Sequence, residues 1–434
     1  MRSVRANTVA SVMLIFSMMC CLLSTICYAV DGNSTEITTR VQTEPNDSFY
    51  GYQKDVFELI GLPQIWNYEE CGPKVLVGII DSGIDTSHPD LSSMVDVNLS
   101  KTFLDYAGVE YGATYDQYGH GTHVAGIIAA IRNNNMGIAG ICDNVKLVSL
   151  RVGRSDGKAD LTAVIDAIQY ADENNIKILN ISYGFLRQEI LQYYDNGEEL
   201  IESLSDAISG YDGLIVCSAG NSNSNDDSNP IYPASFEHDN ILVVGASSLA
   251  NNTEGIWSSS SLVASNYGTH SVDIFAPGEN ILSCFPQNKC ATGQCGSGHH
   301  ANGYHILSGT SMATPIVTGV AALILGKYRQ LSPAYLKELI LLHCDTDPVF
   351  SNKCVSGGRL NANLAFQDHQ YHYSFTLGSG QHNCVCGICG FSTTEFHTWE
   401  VISITPPRYR CTVCGYLTSN ISALRVEEVA LSDE

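Results

Sequence analysis

The sequence predicts an α/β fold of three layers, a mostly parallel sheet with helices on both faces, followed by a small Cys-rich module at the C-terminus. Short, continuous apolar runs recur between residues 75 and 244, and helical patterns separate them. A strand that is apolar at every position is buried on both faces, and strands alternating with helices are joined by crossovers that leave neighbours parallel. After about Gln367 the composition shifts to Cys, His, Gly and aromatic residues, which marks a second unit over residues 368–434.

The first thirty residues read as a targeting segment. Arg2 and Arg5 make a basic start, an uncharged apolar run extends from Thr8 to about Ala29, and Cys27-Tyr28-Ala29 suits cleavage by signal peptidase. Residues 1–29 are therefore expected to be a signal peptide, giving a secreted or cell-envelope location. An uncleaved membrane anchor is the alternative, because the run is nearly long enough to span a bilayer. Residues 30–50 form a short polar leader, and residues 51–367 the main domain. Within it Val75–Ile80, Val145–Val152, Lys177–Ile181, Leu214–Val216 and Ile241–Val244 are expected strands. Leu161–Asn174, apolar at every third or fourth position, is an expected helix. Right-handed crossovers would bring the carboxyl ends of the strands to one edge, where sites form. Two helices close the domain. One runs from Thr310 to Tyr328, and the other starts at Ser332-Pro333, an N-cap followed by proline at the first helical position.

At 434 residues the chain suits one large domain plus an accessory. Hydrophobic residues at 44% and a mean hydropathy near zero describe a globular protein with a sizeable core. Lys and Arg total 22 against 45 Asp and Glu, a net charge of −23. That surface repels nucleic acid and anionic lipid, so neither is an expected partner, and contact with a membrane is expected only through the N-terminal segment if uncleaved. The plain consequence of the charge is solubility, and a monomer is expected. Of 16 cysteines, five crowd into the tail. Export would permit disulfides, with Cys344–Cys354, or two of Cys284, Cys290 and Cys295, as candidate pairs.

Three short motifs carry chemistry. Asp81 directly follows the Val75–Ile80 run in Asp81-Ser82-Gly83, where the end of a buried strand would hold a carboxylate rigidly. His120 opens Gly119-His120-Gly121-Thr122-His123 and leads into a helix, with glycines on both sides for a sharp turn. Ser311 lies in Gly309-Thr310-Ser311-Met312-Ala313, at the start of the long apolar helix, where backbone N–H groups and positive potential sit beside it. His123, three residues from His120, is read as a packed helix residue.

Together and in this order, the three motifs resemble the signatures of the subtilase family, over about residues 50 to 367. The order Asp, His, Ser is that of subtilisin. The resemblance implies a serine endopeptidase acting on extended polypeptides, with Ser311 as nucleophile, His120 as general base and Asp81 orienting it. Ser218-Ala219-Gly220-Asn221 matches the family's oxyanion-hole motif, so Asn221 would donate a side-chain N–H. Ser182-Tyr183-Gly184 resembles the edge that pairs with substrate backbone, and with Ser218, Ala219 and Gly220 would flank the pocket for the residue before the cut. Ile231 falls where the family closes the pocket floor, implying medium apolar side chains rather than Lys or Arg. The competing reading is a processing peptidase devoted to one partner protein, which the C-terminal module would select. The leader is far shorter than the propeptide that secreted subtilisins usually carry.

Two structural metals are expected. Asn133–Gly140 lies where subtilisins carry a calcium loop, with Asp90, the Asn134 side chain and the carbonyls of Arg132, Met136 and Ile138 as oxygen ligands. Asp47 is a weaker extra ligand, and a plain Asn-Gly loop is the alternative. In the tail, Cys386-Gly387-Ile388-Cys389 and Cys411-Thr412-Val413-Cys414 resemble the two knuckles of a zinc ribbon. Local disulfides are the alternative there.

Overall fold

The computed structural model describes residues 44–66, 73–104, 112–250, 253–291, 299–329 and 331–367, and the backbone of strands between 371 and 418. The expected signal peptide and most of the polar leader lie outside the described residues. In chain order the strands of the main body are β1 (Val75–Asp81), β2 (Lys101–Thr102), β3 (Val145–Arg151), β4 (Ile178–Ile181), β5 (Phe185–Leu186), β6 (Leu214–Ser218), β7 (Ile231–Tyr232) and β8 (Ile241–Ala250). They continue with β9 (Thr253–Ile256), β10 (Ile274–Pro277), β11 (Ile281–Cys284), β12 (His299–Ala301), β13 (Tyr304–Leu307), β14 (Asp345–Thr346) and β15 (Gly358–Arg359).

Ten strands make one sheet in the order β14-β15-β10-β8-β6-β4-β1-β3-β2, with β9 paired to β8. All pairings are parallel except β14 with β15 and β8 with β9. The five expected strands are all present. The longest departure is β8, which continues past Val244 to Ala250 because Val244–Ser247 also pair with β10 and Ser247–Ala250 with β9. Strand side chains alternate between two cores. Val77 and Ile79 face one that includes helices His120–Ala129, Thr310–Lys327 and Pro333–Leu342. Ile80, Val148 and Leu150 face the other, with helices Leu161–Glu173 and Gly197–Gly210.

The helix ends follow from local chemistry. The Asp160 side chain accepts from Thr162 N and starts Leu161–Glu173. Ser332 accepts from Tyr335 N and starts Pro333–Leu342. Thr310–Lys327 is apolar enough to cross a membrane, yet almost every residue of it is buried inside the protein, as a central core helix requires.

One sequence expectation changes here. Cys344 and Cys354 do not pair, and both are free thiols. The buried Cys354 Sγ lies 4.0 Å from the Phe350 carbonyl and 3.7 Å from that of Gly358. Cys284 is likewise free and buried, whereas the side chains of Cys290 and Cys295 lie outside the described residues. After Tyr183, β5 pairs antiparallel with β7, and helices Arg187–Tyr193 and Gly197–Gly210 follow. In the tail, Tyr371–Phe375, Gln381–Cys386 and Ser392–Phe396 pair antiparallel in sequence, as do Trp399–Ile404, Pro407–Cys411 and Leu417–Thr418.

Candidate active site

The parallel sheet delivers Asp81, Ser182 and Ser218 to one edge, because they end or directly follow β1, β4 and β6. Asp81 is fully buried. His120 is the first residue of its helix, and its Nδ1 lies 2.9 Å from each Asp81 carboxylate oxygen. The carboxylate accepts, so Nδ1 carries the proton and Nε2 is left as the basic nitrogen. Burial works against an imidazolium here. The charge and hydrogen bond of Asp81, with Asp116 behind, outweigh it and raise the His120 pKa.

Asp116 is a residue that the motifs did not single out. It is buried and accepts from Ser82 Oγ (2.9 Å), Tyr118 N (3.1 Å), Gly119 N (2.7 Å), Thr122 N (2.9 Å) and Thr122 Oγ1 (2.6 Å). Through Ser82 it ties the His120 turn to the residue after Asp81. Gly119 in that turn has φ +101°, and a Cβ there would stand 2.4 Å from the Phe285 ring. His123 is buried, with Nε2 3.0 Å from the His305 carbonyl and 3.2 Å from that of Ile281. Burial, with the neighbouring His120, pushes its pKa down to about 3, so it stays neutral and packed as expected.

Ser311 is the second residue of the helix Thr310–Lys327, whose N-cap is Gly309. Pro315 has no N–H to bond the Ser311 carbonyl four residues back. Ser182 takes up that role: its Oγ donates to Ser311 O, and Ser311 Oγ donates to Ser182 O, each at 3.4 Å. The next residue, Tyr183, has its ring 6.3 Å from that of His120, so the end of β4 adjoins both groups. Asn221 Oδ1 accepts from Thr310 N (2.9 Å) and Thr310 Oγ1 (3.0 Å). With its carbonyl so engaged, the Asn221 amide has its NH2 turned away from Thr310 and available as a donor.

The pocket walls are close together. Ala219 N donates to Val244 O at 3.0 Å and Gly220 N to Thr310 Oγ1 at 3.2 Å, which fixes one wall to β8 and to the Ser311 helix. A Cβ at Gly184 would stand 2.4 Å from Ile231 Cδ1, and one at Gly220 3.3 Å from the same atom. Ile231 therefore fills the space between the two glycines. The Tyr183 hydroxyl is buried without a hydrogen-bond partner among the described residues, and burial together with Asp81 pushes its pKa far up.

Residues 72–358 match the model of the subtilase family. The chain belongs to the subtilase family. It is 34% identical over 270 residues to the major intracellular serine protease of Bacillus subtilis, covering 62% of this chain and 73% of that one. Against subtilisin DY of Bacillus licheniformis it is 33% identical over 268 residues, covering 62% and 82%. In three dimensions it is similar to the epidermin leader peptide processing serine protease of Staphylococcus aureus, with a TM-score of 0.59, 23% identity and 76% and 84% of the two chains covered. As a subtilase this protein is a serine endopeptidase, and its substrates are polypeptides.

The expected calcium loop is partly re-used. Asp90 Oδ2 accepts from Ile138 N (3.1 Å) and Tyr304 OH (2.9 Å), and Asp90 Oδ1 from Asn134 Nδ2 (2.6 Å). Asn134 Oδ1 in turn accepts from Met136 N at 2.8 Å, so the Asn134 amide bridges Asp90 and the loop backbone. Asp47 accepts from Asn133 N and Asn134 N. Arg132 is ion-paired with Asp143 through its side chain. The carbonyls of Arg132, Met136 and Ile138 receive no hydrogen bond among the described residues. The fit to calcium thus rests on Asp90 and those three carbonyls. Cys389 and Cys414 lie outside the described residues, as do the side chains of Cys386 and Cys411. The backbone at the latter two ends a strand whose successor pairs antiparallel with it.

Proposed function

We propose that this subtilase cleaves peptide bonds with Asp81, His120 and Ser311 as its triad and Asn221 as an oxyanion donor. The observation that carries this is the Asp81–His120 pair at the sheet edge, adjoining a serine at a helix N-terminus. For the reaction the Ser311 hydroxyl turns from the Ser182 carbonyl toward His120 Nε2 when substrate is bound. Its Oγ then attacks the scissile carbonyl carbon while Nε2 takes the proton. Asp81 keeps the imidazole in the right tautomer and stabilises its charge. The C–N bond breaks as Nε2 gives the proton to the leaving amine, and water hydrolyses the acyl-enzyme by the same route. Negative charge on the carbonyl oxygen is met by the Asn221 NH2 and by the Ser311 N–H, which has no acceptor among the described residues.

Substrate would lie extended along Ser182, Tyr183 and Gly184 as an added strand. The Ile231 side chain, set between Gly184 and Gly220, makes that part of the wall apolar and offers no partner for Lys or Arg, which favours medium apolar side chains. Export rests on the N-terminal segment, residues 1–29, and not on relatedness, since one relative is by name intracellular. Structural calcium at the Asp90 loop is supported by its buried carboxylate and unbonded carbonyls. Structural zinc at Cys386, Cys389, Cys411 and Cys414 is supported by the two hairpins that carry the Cys-x-x-Cys segments. Casein and a peptide library, incubated with the wild type and with Ser311→Ala, test the main claim: cleavage that survives in the variant refutes it.

A further inference from the structure

Asn221 sits in a loop with no regular structure of its own, yet an oxyanion donor must hold its place to a fraction of an ångström. From the surrounding hydrogen bonds we infer that the buried pair Asn266–Asp226 is a positioning clamp for Asn221, an inference that rests on the oxyanion reading above. Asn266 bonds the loop on both sides of Asn221. Its Nδ2 donates to Ala219 O (3.1 Å), and its backbone N donates to Gly220 O (2.8 Å). Its Oδ1 accepts from Ser222 N (2.8 Å) and Ser224 N (3.1 Å). Gly220 has φ +108°, and a Cβ there would stand 2.6 Å from Asn266 Nδ2, so glycine is needed for this approach.

Asp226 and the loop backbone together decide which way round the Asn266 amide lies. A carboxamide with its two ends exchanged would aim a donor at the N–H groups of Ser222 and Ser224 and an acceptor at the Ala219 carbonyl. Asp226 Oδ1 accepts from Asn266 Nδ2 at 2.9 Å, which selects the working orientation. Asp226 itself is tied to the strand segment beside it, since its N donates to Tyr267 O and Tyr267 N donates to Ser224 O. The arrangement is costly. Asp226 is 2% exposed, its Oδ2 has no hydrogen-bond partner among the described residues, and burial pushes its pKa up to about 8 against the pull of Asn266. An Asn at position 226 would offer the same acceptor without a titratable group.

The test compares kcat, KM and thermal midpoint for Asn266→Ala, Asp226→Ala, Asp226→Asn, Asn221→Ala and the double variant Asn266→Ala/Asn221→Ala on one peptide substrate. Asn266→Ala and Asp226→Ala should each lower kcat by about tenfold with little change in KM, a part of the 100- to 1000-fold known for loss of the donor itself in subtilisin. Asp226→Asn, which keeps the acceptor, should restore most of the rate. In the double variant, Asn266→Ala should cost little beyond Asn221→Ala, since there is no donor left to position. An unchanged kcat in Asn266→Ala, or losses that multiply in the double variant, would overturn the clamp. An unchanged kcat in Asn221→Ala would overturn the oxyanion reading beneath it. Should an alanine variant fail to fold, Asn266→Asp, equal in size but without the amide donors, carries the same expectation.

Discussion

His120 is caught between burial, which disfavours its charge, and Asp81, which favours it, and the carboxylate prevails. Protonated His120 cannot accept the Ser311 proton. The kcat/KM profile should therefore rise with pH through a midpoint above the ordinary histidine value of about 6.5. Asp81→Asn should move that limb down and lower kcat by roughly 10⁴-fold, because the imidazole loses both its tautomer and the charge opposite it. A profile unmoved in this variant would contradict the role given to Asp81. Ile231 makes a separate prediction. Ile231→Gly should raise kcat/KM for substrates with Phe or Leu before the cut by about tenfold or more, as expected when a hydrophobic pocket gains the space of several methylenes. Discrimination among a set of peptides differing at that residue measures it.

Among elements, the turn that carries His120 depends on one carboxylate. Asp116→Ala would leave several buried donors without an acceptor and should cost on the order of 1–3 kcal/mol of stability, read as a lower thermal midpoint. The Asp90 loop gives the opposite kind of test. If Asp90 and the carbonyls of Arg132, Met136 and Ile138 hold calcium, EDTA should lower the thermal midpoint and added calcium restore it. An unchanged midpoint would mean that the Asn134 and Tyr304 bonds to Asp90 suffice alone. These two elements also mark what the sequence makes legible. Strands such as β1 and β6 were readable from their continuous apolar runs, and Asp81, His120 and Ser311 because each sits in a motif with fixed neighbours. Asp116, Asn266 and Asp226 were not. Their partners lie up to 47 residues away in the chain, and in a stretch like Asn221-Ser222-Asn223-Ser224-Asn225-Asp226 a buried acid looks like any turn former. Asn134 was legible as a polar loop residue, but the direction of its amide depends on Met136 N and Asp90 meeting in space.

For the molecule as a whole, the sheet carries the reaction, and the other parts govern what reaches it. The family model ends at residue 358 and the composition shift begins near Gln367, so a chain ending at Gln367 should keep peptidase activity on small peptides. Metal analysis of the full chain should find about one zinc per molecule if Cys386, Cys389, Cys411 and Cys414 form a ribbon, and none if they are disulfides. Cys344 and Cys354, ten residues apart, suggest a bridge by spacing alone, and both are free thiols. The most direct measurement is mass spectrometry of the protein after treatment with a fluorophosphonate that reacts only with activated serines. One adduct is expected, on the peptide containing Ser311, absent in Ser311→Ala and His120→Ala. An adduct on another serine, or one that persists in His120→Ala at the wild-type rate, would contradict it.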